Sequence, residues 1–176
     1  MKNTLRKYFE NIVIAVNDFP KKGVVFRDVT PLFLDSSAYN LAIREMKNLF
    51  NSSHIDLVLG IESRGFLFGI SLAVAWNLPF GLVRKKGKLP RKTNKKTYSS
   101  EYGEEVLEIH EDVIKKGMQV LIVDDILATG GTIKAAIELV EGLEGQIEGI
   151  LVFSEIKKLE GRKFLNKYPV KSLLSF

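Results

Sequence analysis

Cysteine is absent from the 176-residue chain, which excludes disulfide bonds and thiolate chemistry. Histidine is scarce: His54 and His110 are the only two, and neither has a second ligand at the spacing of a metal site. We therefore predict that both histidines serve surface structure. Long apolar runs are also missing, since none approaches the roughly 18 residues that span a membrane. We expect no membrane partner, and the lack of cysteine suits a cytoplasmic location.

Acidic residues are missing from the segment 84–96, which contains eight lysines and arginines. The net charge of the whole chain is +5, so the remainder is slightly acidic. A basic surface can attract nucleic acid, a membrane or an anionic small molecule. Because the positive charge is confined to one segment, we predict a partner that binds locally. The segment 85–97 has no apolar periodicity, which is typical of a mobile loop or a hairpin.

Apolar periodicity predicts helices that alternate with strands along most of the chain. The predicted helices cover 3–16, a segment from Ser36 or Ser37 (either of which could cap it) to about Phe50, an apolar and buried segment at 65–76, and 130–142. The predicted strands cover a short extended piece within 19–31, then 56–60, 79–84, 105–110, 118–123 and 148–156, with an edge strand after 169. This order predicts an α/β fold with a mostly parallel, twisted sheet flanked by helices, as one domain over 1–176.

Three polar segments follow three of the predicted strands. The segment IESRG (61–65) follows the strand 56–60, the basic segment follows 79–84, and DDILATGGT (124–132) follows 118–123. In open α/β sheets, ligands bind beyond the carboxyl ends of the strands. All three segments are therefore predicted to lie on the same rim of the sheet and to form one site.

The segment ATGGT (128–132) joins a predicted strand to a predicted helix. Gly130 and Gly131 allow positive φ angles and a close approach of the backbone to a ligand, while Thr129 and Thr132 offer hydroxyl groups. Together with the N–H groups of the helix N-terminus, these residues predict a phosphate cradle. The spacing fits neither a P-loop nor a dinucleotide fingerprint.

Asp124 and Asp125 come directly before this cradle. Carboxylates repel a phosphate, but they accept hydrogen bonds from sugar hydroxyls, so the pattern indicates a ribose 5-phosphate. Two alternatives remain open: the acidic pair caps the following helix, or it holds Mg²⁺.

The segment VLIVDDILATGGT (120–132) resembles the phosphoribosyl diphosphate (PRPP) motif of type I phosphoribosyltransferases. Three more segments resemble the adenine phosphoribosyltransferase family in particular: FPKKGVVFRDVTPLF (19–33), GIESRGFLFG (60–69) and 83–112, with VRKKGKLPRKT and YSSEYGEEVLEIHED. The match covers most of the chain in the expected order. The chain departs from the pattern at Glu62 and in the lysine-rich segment between Thr93 and Tyr98.

The resemblance implies a type I phosphoribosyltransferase fold, which is Rossmann-like, with a small N-terminal hood and a flexible loop. It implies a reaction in which adenine and PRPP give AMP and diphosphate through an oxocarbenium-like transition state. Mg²⁺ would be bound mainly through PRPP oxygens and water, without a direct protein ligand. The family also implies a homodimer in which basic loop residues reach the neighbouring site, and no nucleic-acid partner.

The resemblance assigns the 5′-phosphate, the ribose and the diphosphate of PRPP to three groups of residues. The 5′-phosphate would bind to Ala128, Thr129, Gly130, Gly131 and Thr132. The ribose hydroxyls would bind to Asp124 and Asp125, whose charge lies near the developing cation. The diphosphate would bind to Ser63, Arg64, Arg84, Lys85 and Lys88. For Arg64 the alternative is a surface salt bridge, and for Lys92, Lys95 and Lys96 it is a solvated face.

The resemblance assigns adenine to Val25, Phe26, Arg27 and Ile126. Phe26 or Val25 would cover one face of the base and Ile126 the other, while main-chain groups of Val25 and Arg27 read its edges. A main-chain carbonyl that accepts from the 6-amino group would reject a 6-oxo purine. The alternative for Phe26 is a core aromatic.

Glu101 and Tyr102 would belong to the loop that closes over the site and excludes water. Glu101 is the candidate that helps to remove the proton of adenine, although a surface acid is the alternative. The predicted catalytic residues are thus Glu101, Arg64, Asp124 and Asp125. Two other functions remain open: a phosphoribosyltransferase for another purine base, and a regulator that binds PRPP as an effector and nucleic acid through the lysine loop.

Overall fold

A seven-stranded sheet forms the centre of the molecule in a computed structural model that describes residues 3–100 and 103–176. Strands β1 (Ile14–Asn17) and β2 (Val25–Asp28) form a separate small sheet. The large sheet contains β3 (Leu57–Ile61), β4 (Phe80–Lys85), β5 (Thr93–Ser100), β6 (Gly103–His110), β7 (Gln119–Leu127), β8 (Gln146–Glu155) and β9 (Val170–Ser175). The helices are α1 (Asn3–Ile12), α2 (Thr30–Leu34), α3 (Ser36–Lys47), α4 (Arg64–Trp76) and α5 (Gly131–Gly142). The predicted α/β class is confirmed.

The strand order of the large sheet is β5-β6-β4-β3-β7-β8-β9. The five strands from β4 to β9 in this order are parallel, and the β5–β6 hairpin joins β4 in antiparallel pairing. The chain leaves β3 toward β4 on one side, and β7 lies on the other. The carboxyl ends of β3 and β7 therefore flank the topological switch point, where α/β sheets bind ligands.

Helices cover both faces of the sheet, and strand β7 supplies apolar side chains to each. Leu121 and Val123 pack into the core beneath α3 and α4, whereas Val120 and Ile122 pack toward α5. Successive side chains of a strand point to opposite faces, so this alternation continues along β7. It predicts that Asp125 lies on the face of α4.

The N-terminal helix is shorter than the predicted segment 3–16. Helix α1 ends at Ile12, and Ile14–Asn17 form strand β1, which pairs with β2 in an antiparallel two-stranded sheet. Val13 and Val16 do follow Phe9 at helical spacing. The chain nevertheless leaves the helix here, because residues 14–17 pair with β2, about ten residues later. This small sheet is the predicted hood.

Two helices differ from prediction in their ends or burial. Asp35 caps α3 by accepting from the N–H groups of Ser37 and Ala38, so neither serine is the cap. The predicted all-round burial of α4 is wrong. Its residues Leu67, Ile70 and Val74, which are three and four apart on one face, are exposed.

The basic segment runs from the end of β4 into a hairpin, since its residues 93–96 belong to β5, which pairs with β6 along its full length. Strand β7 is longer than predicted and includes both aspartates. The edge strand predicted near the end of the sequence is β9. His54 is exposed, but His110 is buried where β6 ends, so its predicted place on the surface is wrong.

No helix in residues 3–100 and 103–176 is long and apolar enough to cross a membrane.

Candidate active site

An open cleft of about 850 Å³ lies over the carboxyl ends of β3 and β7, between the hood and the β5–β6 hairpin. The sequence-predicted residues that line it are Val25, Phe26, Arg27, Ser63, Arg64, Lys85, Lys88, Asp124, Asp125, Ile126, Ala128, Thr129, Gly130 and Thr132. The structure therefore brings predicted residues from four separate segments, between positions 25 and 132 of the sequence, into one cavity. Gly131 and Arg84 are not among its lining residues.

The predicted phosphate cradle connects β7 to α5. Gly130 precedes the helix with a φ of +86°, a conformation that glycine adopts without steric cost. A Cβ atom at Gly161 would lie 2.4 Å from the carbonyl oxygen of Ala128. The segment around Gly161 therefore packs directly against the cradle and holds its backbone shape. Gly131 lies beneath strand β5, where an added Cβ would be 2.7 Å from the carbonyl oxygen of Ser99.

Asp125 and Arg64 form an ion pair across the floor of the cleft. The Arg64 Nε donates to the Asp125 Oδ2 at 2.5 Å, and the Asp125 side chain is only 6% exposed. Asp125 points toward α4, as the alternation along β7 predicts, and Arg64 is the first residue of that helix. Arg64 is thus held within the cleft by a buried carboxylate, rather than by a surface salt bridge.

Asp124 is a buried carboxyl group whose pKa is raised well above its ordinary value. Burial is the main cause, and the charge of Asp125 adds to it, while the Asp125 N–H, which donates to the Asp124 Oδ1 at 2.8 Å, opposes the shift. Gly65 allows the close approach of α4, because a Cβ atom there would lie 2.8 Å from the same oxygen. The structure therefore holds a carboxyl group against electrostatic and desolvation costs, which is common at functional sites.

Phe26 covers one wall of the cleft. The Arg64 guanidinium carbon lies 5.0 Å from the centroid of its ring, and Phe19 contacts the ring edge-to-face at 5.2 Å. Phe26 is therefore half-buried within the hood, and it is not a core aromatic. Val25 and Arg27 flank it on β2, and Ile126 lines the same cleft from β7.

Glu62 pairs with two of the cations that were predicted to bind diphosphate, Arg84 and Lys88. Its carboxylate accepts from the Arg84 Nε at 3.2 Å, from the Lys85 N–H at 2.9 Å and from the Lys88 ammonium. Burial raises the pKa of Glu62, but the hydrogen bonds from Lys88, the Lys85 N–H and Arg84 outweigh it, so the pKa is lowered. Arg84 also donates to the Lys88 carbonyl oxygen at 3.0 Å. These contacts place the basic side chains of the segment beside Ser63 and Arg64.

Tyr98 links the hairpin to the cradle. Its hydroxyl donates to the Glu105 Oε2 at 2.6 Å and accepts a long contact of 3.4 Å from the Thr132 hydroxyl. Burial and the hydrogen bond to Glu105 raise the pKa of Tyr98. Glu105 in turn accepts from the Lys85 ammonium at 3.1 Å. A chain of polar contacts therefore runs from the phosphate end of the cleft to the cation cluster.

Acidic neighbours pair with four cations of the basic segment and of strand β5. Arg91 pairs with Asp112, and the distances for the other pairs are 2.9 Å for Lys92–Glu111, 3.0 Å for Lys95–Glu108 and 2.5 Å for Lys96–Glu138. Glu138 lies on α5, so one of these pairs joins the hairpin to that helix. The segment thus contains several salt bridges, and its surface is not uniformly positive.

Several lining residues were missed by sequence reasoning. They are Glu62, Tyr98, Glu105, Leu107, Ile133, Ile156, Lys158 and Leu159, with Gly23, Val24 and Leu127 at the margins. Glu62 carried a signal, because an acid at the end of a buried strand beside Ser63 and Arg64 belongs to the same rim. Ile156–Leu159 gave none, since their place depends on the end of β8 lying beside β7. Glu101 and Tyr102 lie outside the described residues.

Comparisons with known proteins agree with this geometry. The model of the phosphoribosyl transferase domain family matches residues 34–174. The chain is 49% identical over 172 residues to adenine phosphoribosyltransferase of Brachyspira hyodysenteriae, covering 98% of this chain and 99% of that relative. This chain belongs to the adenine phosphoribosyltransferase family.

Solved adenine phosphoribosyltransferases share the whole fold. The enzyme of Thermoanaerobacter pseudethanolicus has a TM-score of 0.93 and 43% identity, with 97% of this chain and 99% of that chain covered. The enzyme of Saccharomyces cerevisiae has a TM-score of 0.90 and 39% identity, with 98% and 100% covered. That yeast structure is a complex with adenine and a dideoxy-imino-altritol bisphosphate. The family predicted from sequence is confirmed.

The residues of the cleft offer limited ligation for a metal ion. In the described part of the chain, no group of three or more histidine and carboxylate side chains could hold one. Asp124 and Asp125 are the adjacent carboxylates, and Asp125 is already paired with Arg64. This donor set fits Mg²⁺, which is often bound through one or two carboxylates together with substrate phosphates and water.

Proposed function

We propose that this chain transfers the 5-phosphoribosyl group from PRPP to adenine and releases AMP and diphosphate, as an enzyme of purine salvage. The observation that carries the proposal is the order of groups along one cleft. The cleft is lined in turn by a glycine-containing cradle at a helix N-terminus, a pair of buried carboxyl groups, a cation cluster and an aromatic wall. A phosphate, a sugar, a diphosphate and a flat base need these four surroundings.

PRPP would lie with its 5′-phosphate on the cradle, Ala128–Thr132, and its ribose hydroxyls on Asp124 and Asp125. Its diphosphate would face Ser63, Arg64 and Lys85, together with the Arg84 and Lys88 side chains that pair with Glu62. Arg64 uses Nε for Asp125, and its terminal nitrogens would take diphosphate oxygens, for which a guanidinium has the right fork geometry. Arg64 would thus connect the sugar and the leaving group.

Breaking the anomeric C–O bond places positive charge on the ribose ring. The carboxyl groups of Asp124 and Asp125 would lie near that developing charge, and fixed polar groups in a buried site act strongly on a transition state. The cations would stabilise the departing diphosphate. Glu101 remains our candidate for removing the proton of adenine, with Tyr102 beside it in the loop that would close over the reactants.

Adenine would lie between Phe26 and Ile126, with main-chain groups of Val25 and Arg27 at its edges. Phe19 contacts the Phe26 ring edge-to-face, and the Arg64 guanidinium carbon lies 5.0 Å from the ring centroid, so both side chains help to hold the ring in place. The relative from yeast was crystallised with adenine, which supports this choice of base. A 6-oxo purine would place an acceptor opposite an acceptor, and such a mismatch is strongly rejected.

Mg²⁺ would be held mainly by PRPP oxygens and water, with Asp124 and Asp125 as the nearest carboxylates. When bound, it would neutralise part of the diphosphate charge.

The alternative of a PRPP-binding regulator is less well supported. Such a protein would contact nucleic acid through the lysine-rich hairpin, but Arg91, Lys92, Lys95 and Lys96 pair with acidic residues of the same chain. Nucleic-acid affinity depends on cations that are free to neutralise phosphates. A second alternative is that the enzyme uses another purine base, and the following experiment distinguishes it from the main proposal.

The test is turnover of a panel of bases. The protein is incubated with PRPP, Mg²⁺ and either adenine, hypoxanthine, guanine or xanthine, and the nucleotide and diphosphate products are quantified. We expect AMP and diphosphate in equal amounts, with kcat/KM for adenine at least roughly 100-fold above the 6-oxo purines. Faster turnover of a 6-oxo purine would contradict the assignment of Val25 and Arg27. Salt-dependent DNA binding without turnover would favour the regulator.

We further propose that 1–176 works as one domain in the cytoplasm, and as a homodimer. The hood, the sheet and the hairpin all contribute to one cleft, which supports a single functional unit. Leu67, Ile70 and Val74 form an exposed apolar stripe on α4, and such stripes mark protein contacts. Lys85 and Lys88 line the cleft of their own chain, and a second role in the neighbouring site stays part of the proposal.

A further inference from the structure

The guanidinium of Arg27 lies over the ring of Phe176, with its central carbon 4.4 Å from the ring centroid. Arg27 belongs to β2 and lines the base end of the cleft. Phe176 directly follows β9, the edge strand of the large sheet, and is not one of the lining residues. This contact therefore joins the hood to the sheet beside the proposed position of the base.

The hood is anchored at one end and exposed along its strands. Val13 and Val29, which flank the two strands, are buried in the core, whereas all of β1 and Val25 of β2 are exposed. In the part of the chain that the structure describes, β1 and β2 pair with each other and not with the large sheet. A two-stranded ribbon is marginally stable alone. Side-chain contacts of β2 therefore determine how the hood lies over the cleft.

Phe176 is itself fixed to the wall of the cleft. Its N–H donates to the Glu155 carbonyl oxygen at 2.8 Å, and the Lys157 N–H donates to a main-chain oxygen of Phe176 at 2.9 Å. These two bonds flank Ile156, which lines the cleft. The ring of Phe176 is half-buried and packs against the core. It therefore offers Arg27 a rigid aromatic face.

We propose that Phe176 is a positioning residue for the purine base. Its ring holds the side chain of Arg27, and through it the main chain of β2, at a fixed distance from Ile126 across the cleft. A cation–π contact at a partly exposed site changes an equilibrium by roughly 2–5-fold. The inference rests on the proposed function, because its kinetic consequence is a selective effect on adenine.

The test compares Phe176→Leu with Phe176→Tyr. Leucine keeps an apolar side chain against the core but has no aromatic face, whereas tyrosine keeps the face. We expect F176L to raise the KM for adenine roughly 2–5-fold, with kcat and the KM for PRPP unchanged. F176Y should behave like the wild type. A residue that acted only in packing would affect both substrates through lost stability.

Phe164→Leu is the matched control. Phe164 also carries a cation over its ring, since the Lys134 ammonium lies 6.0 Å from the centroid, but it does not line the cleft. F164L should leave the KM for adenine unchanged. In an Arg27→Gln background, F176L should add no further increase, because the guanidinium that transmits its effect is gone.

Amide hydrogen exchange of residues 25–28 provides a readout without substrate. We expect faster exchange in F176L than in the wild type or F164L, because the hood loses a tether. If the wild type forms no AMP, the proposed function fails, and the exchange result still decides whether Phe176 tethers the hood. If the wild type forms AMP, an equal rise of both KM values in F176L, a defective F176Y, or unchanged exchange overturns the inference.

Discussion

Two adjacent aspartates, Asp124 and Asp125, occupy different electrostatic environments at the end of β7. Asp125 has a cationic partner in Arg64, whereas Asp124 is buried with a raised pKa. A carboxyl group kept under these conditions lowers stability near neutral pH, and this cost indicates a functional role. We propose that the role of Asp124 is to bind the ribose hydroxyls.

Asp124→Asn should stabilise the fold while it impairs activity. Because the folded pKa of Asp124 is raised, this residue contributes its full stability only below the pKa of an aspartate in the unfolded chain. That contribution to the free energy of unfolding is lost as the pH rises through the folded pKa. We expect D124N to raise the free energy of unfolding by about 1–2 kcal/mol at pH 8, with a smaller gain at pH 5. The kcat/KM should fall roughly 10–100-fold, since an oxygen that would accept from the ribose hydroxyls is replaced by an amide donor.

Urea unfolding at both pH values and steady-state kinetics measure these effects. Asp125→Asn is the control, because it breaks the pair with Arg64 and should not stabilise the fold at either pH. A D124N variant that is less stable than the wild type at pH 8 would show that the carboxylate is favourably solvated or paired.

Gly161 is the residue through which a neighbouring segment shapes the phosphate cradle. Gly161→Ala would place a Cβ atom 2.4 Å from the Ala128 carbonyl oxygen, so the cradle has to shift. We expect the KM for PRPP to rise by roughly 10-fold or more, because hydrogen-bond geometry to the 5′-phosphate is lost. In the matched control Gly142→Ala, the added Cβ meets open space, and the KM should not change. A G161A variant with a wild-type KM would exclude this packing role.

At the scale of elements, the β5–β6 hairpin depends on carboxylates with lowered pKa values. Burial raises the pKa of Glu108, but Lys95, whose ammonium lies 3.0 Å away, and the Gly87 N–H outweigh it. The same balance lowers the pKa of Glu105, where Tyr98 and Lys85 donate. A lowered pKa contributes stability above the unfolded pKa, and that stability is lost as pH falls through the folded pKa.

Glu108→Gln tests this dependence. We expect a loss of about 1–3 kcal/mol in the free energy of unfolding at pH 7, because a buried carboxylate pair is broken, and a progressively smaller loss as the pH falls through the folded pKa of Glu108. Glu111→Gln is the control, since its partner Lys92 is 86% exposed and surface pairs contribute about 0–1 kcal/mol. Equal losses for the two variants, or a gap that does not narrow as the pH falls below the ordinary pKa of a glutamate, would disprove the assignment.

The same elements show where sequence patterns suffice. Buried strands such as β3 and the glycine turn before α5 have local signals, and their order alone fixed the rim on which the site lies. Strand β1 and the burial of His110 had no signal in their own residues, because each depends on pairing with another strand. The Arg64–Asp125 pair was missed for the same reason: periodicity shows that both residues reach the rim, but not which of their charges meet.

At the scale of the whole molecule, the exposed stripe on α4 predicts self-association. Val74 is 74% exposed, and a charge placed within a buried apolar contact is strongly unfavourable. We expect the wild type to sediment as a dimer at micromolar concentration and Val74→Asp to raise the dimer dissociation constant at least roughly 10-fold. Phe164→Asp, at an exposed apolar residue outside this stripe, should not. A monomeric wild type would remove the homodimer from the proposal.

A structure of the protein with AMP bound tests the central claim most directly, because one ligand spans three of the four proposed surroundings. We predict that its phosphate contacts Ala128–Thr132, that its ribose hydroxyls donate to Asp124 and Asp125, and that its base lies between Phe26 and Ile126. A phosphate bound instead at the cation cluster of Arg64, Arg84 and Lys88, or a base outside the hood, would contradict the account.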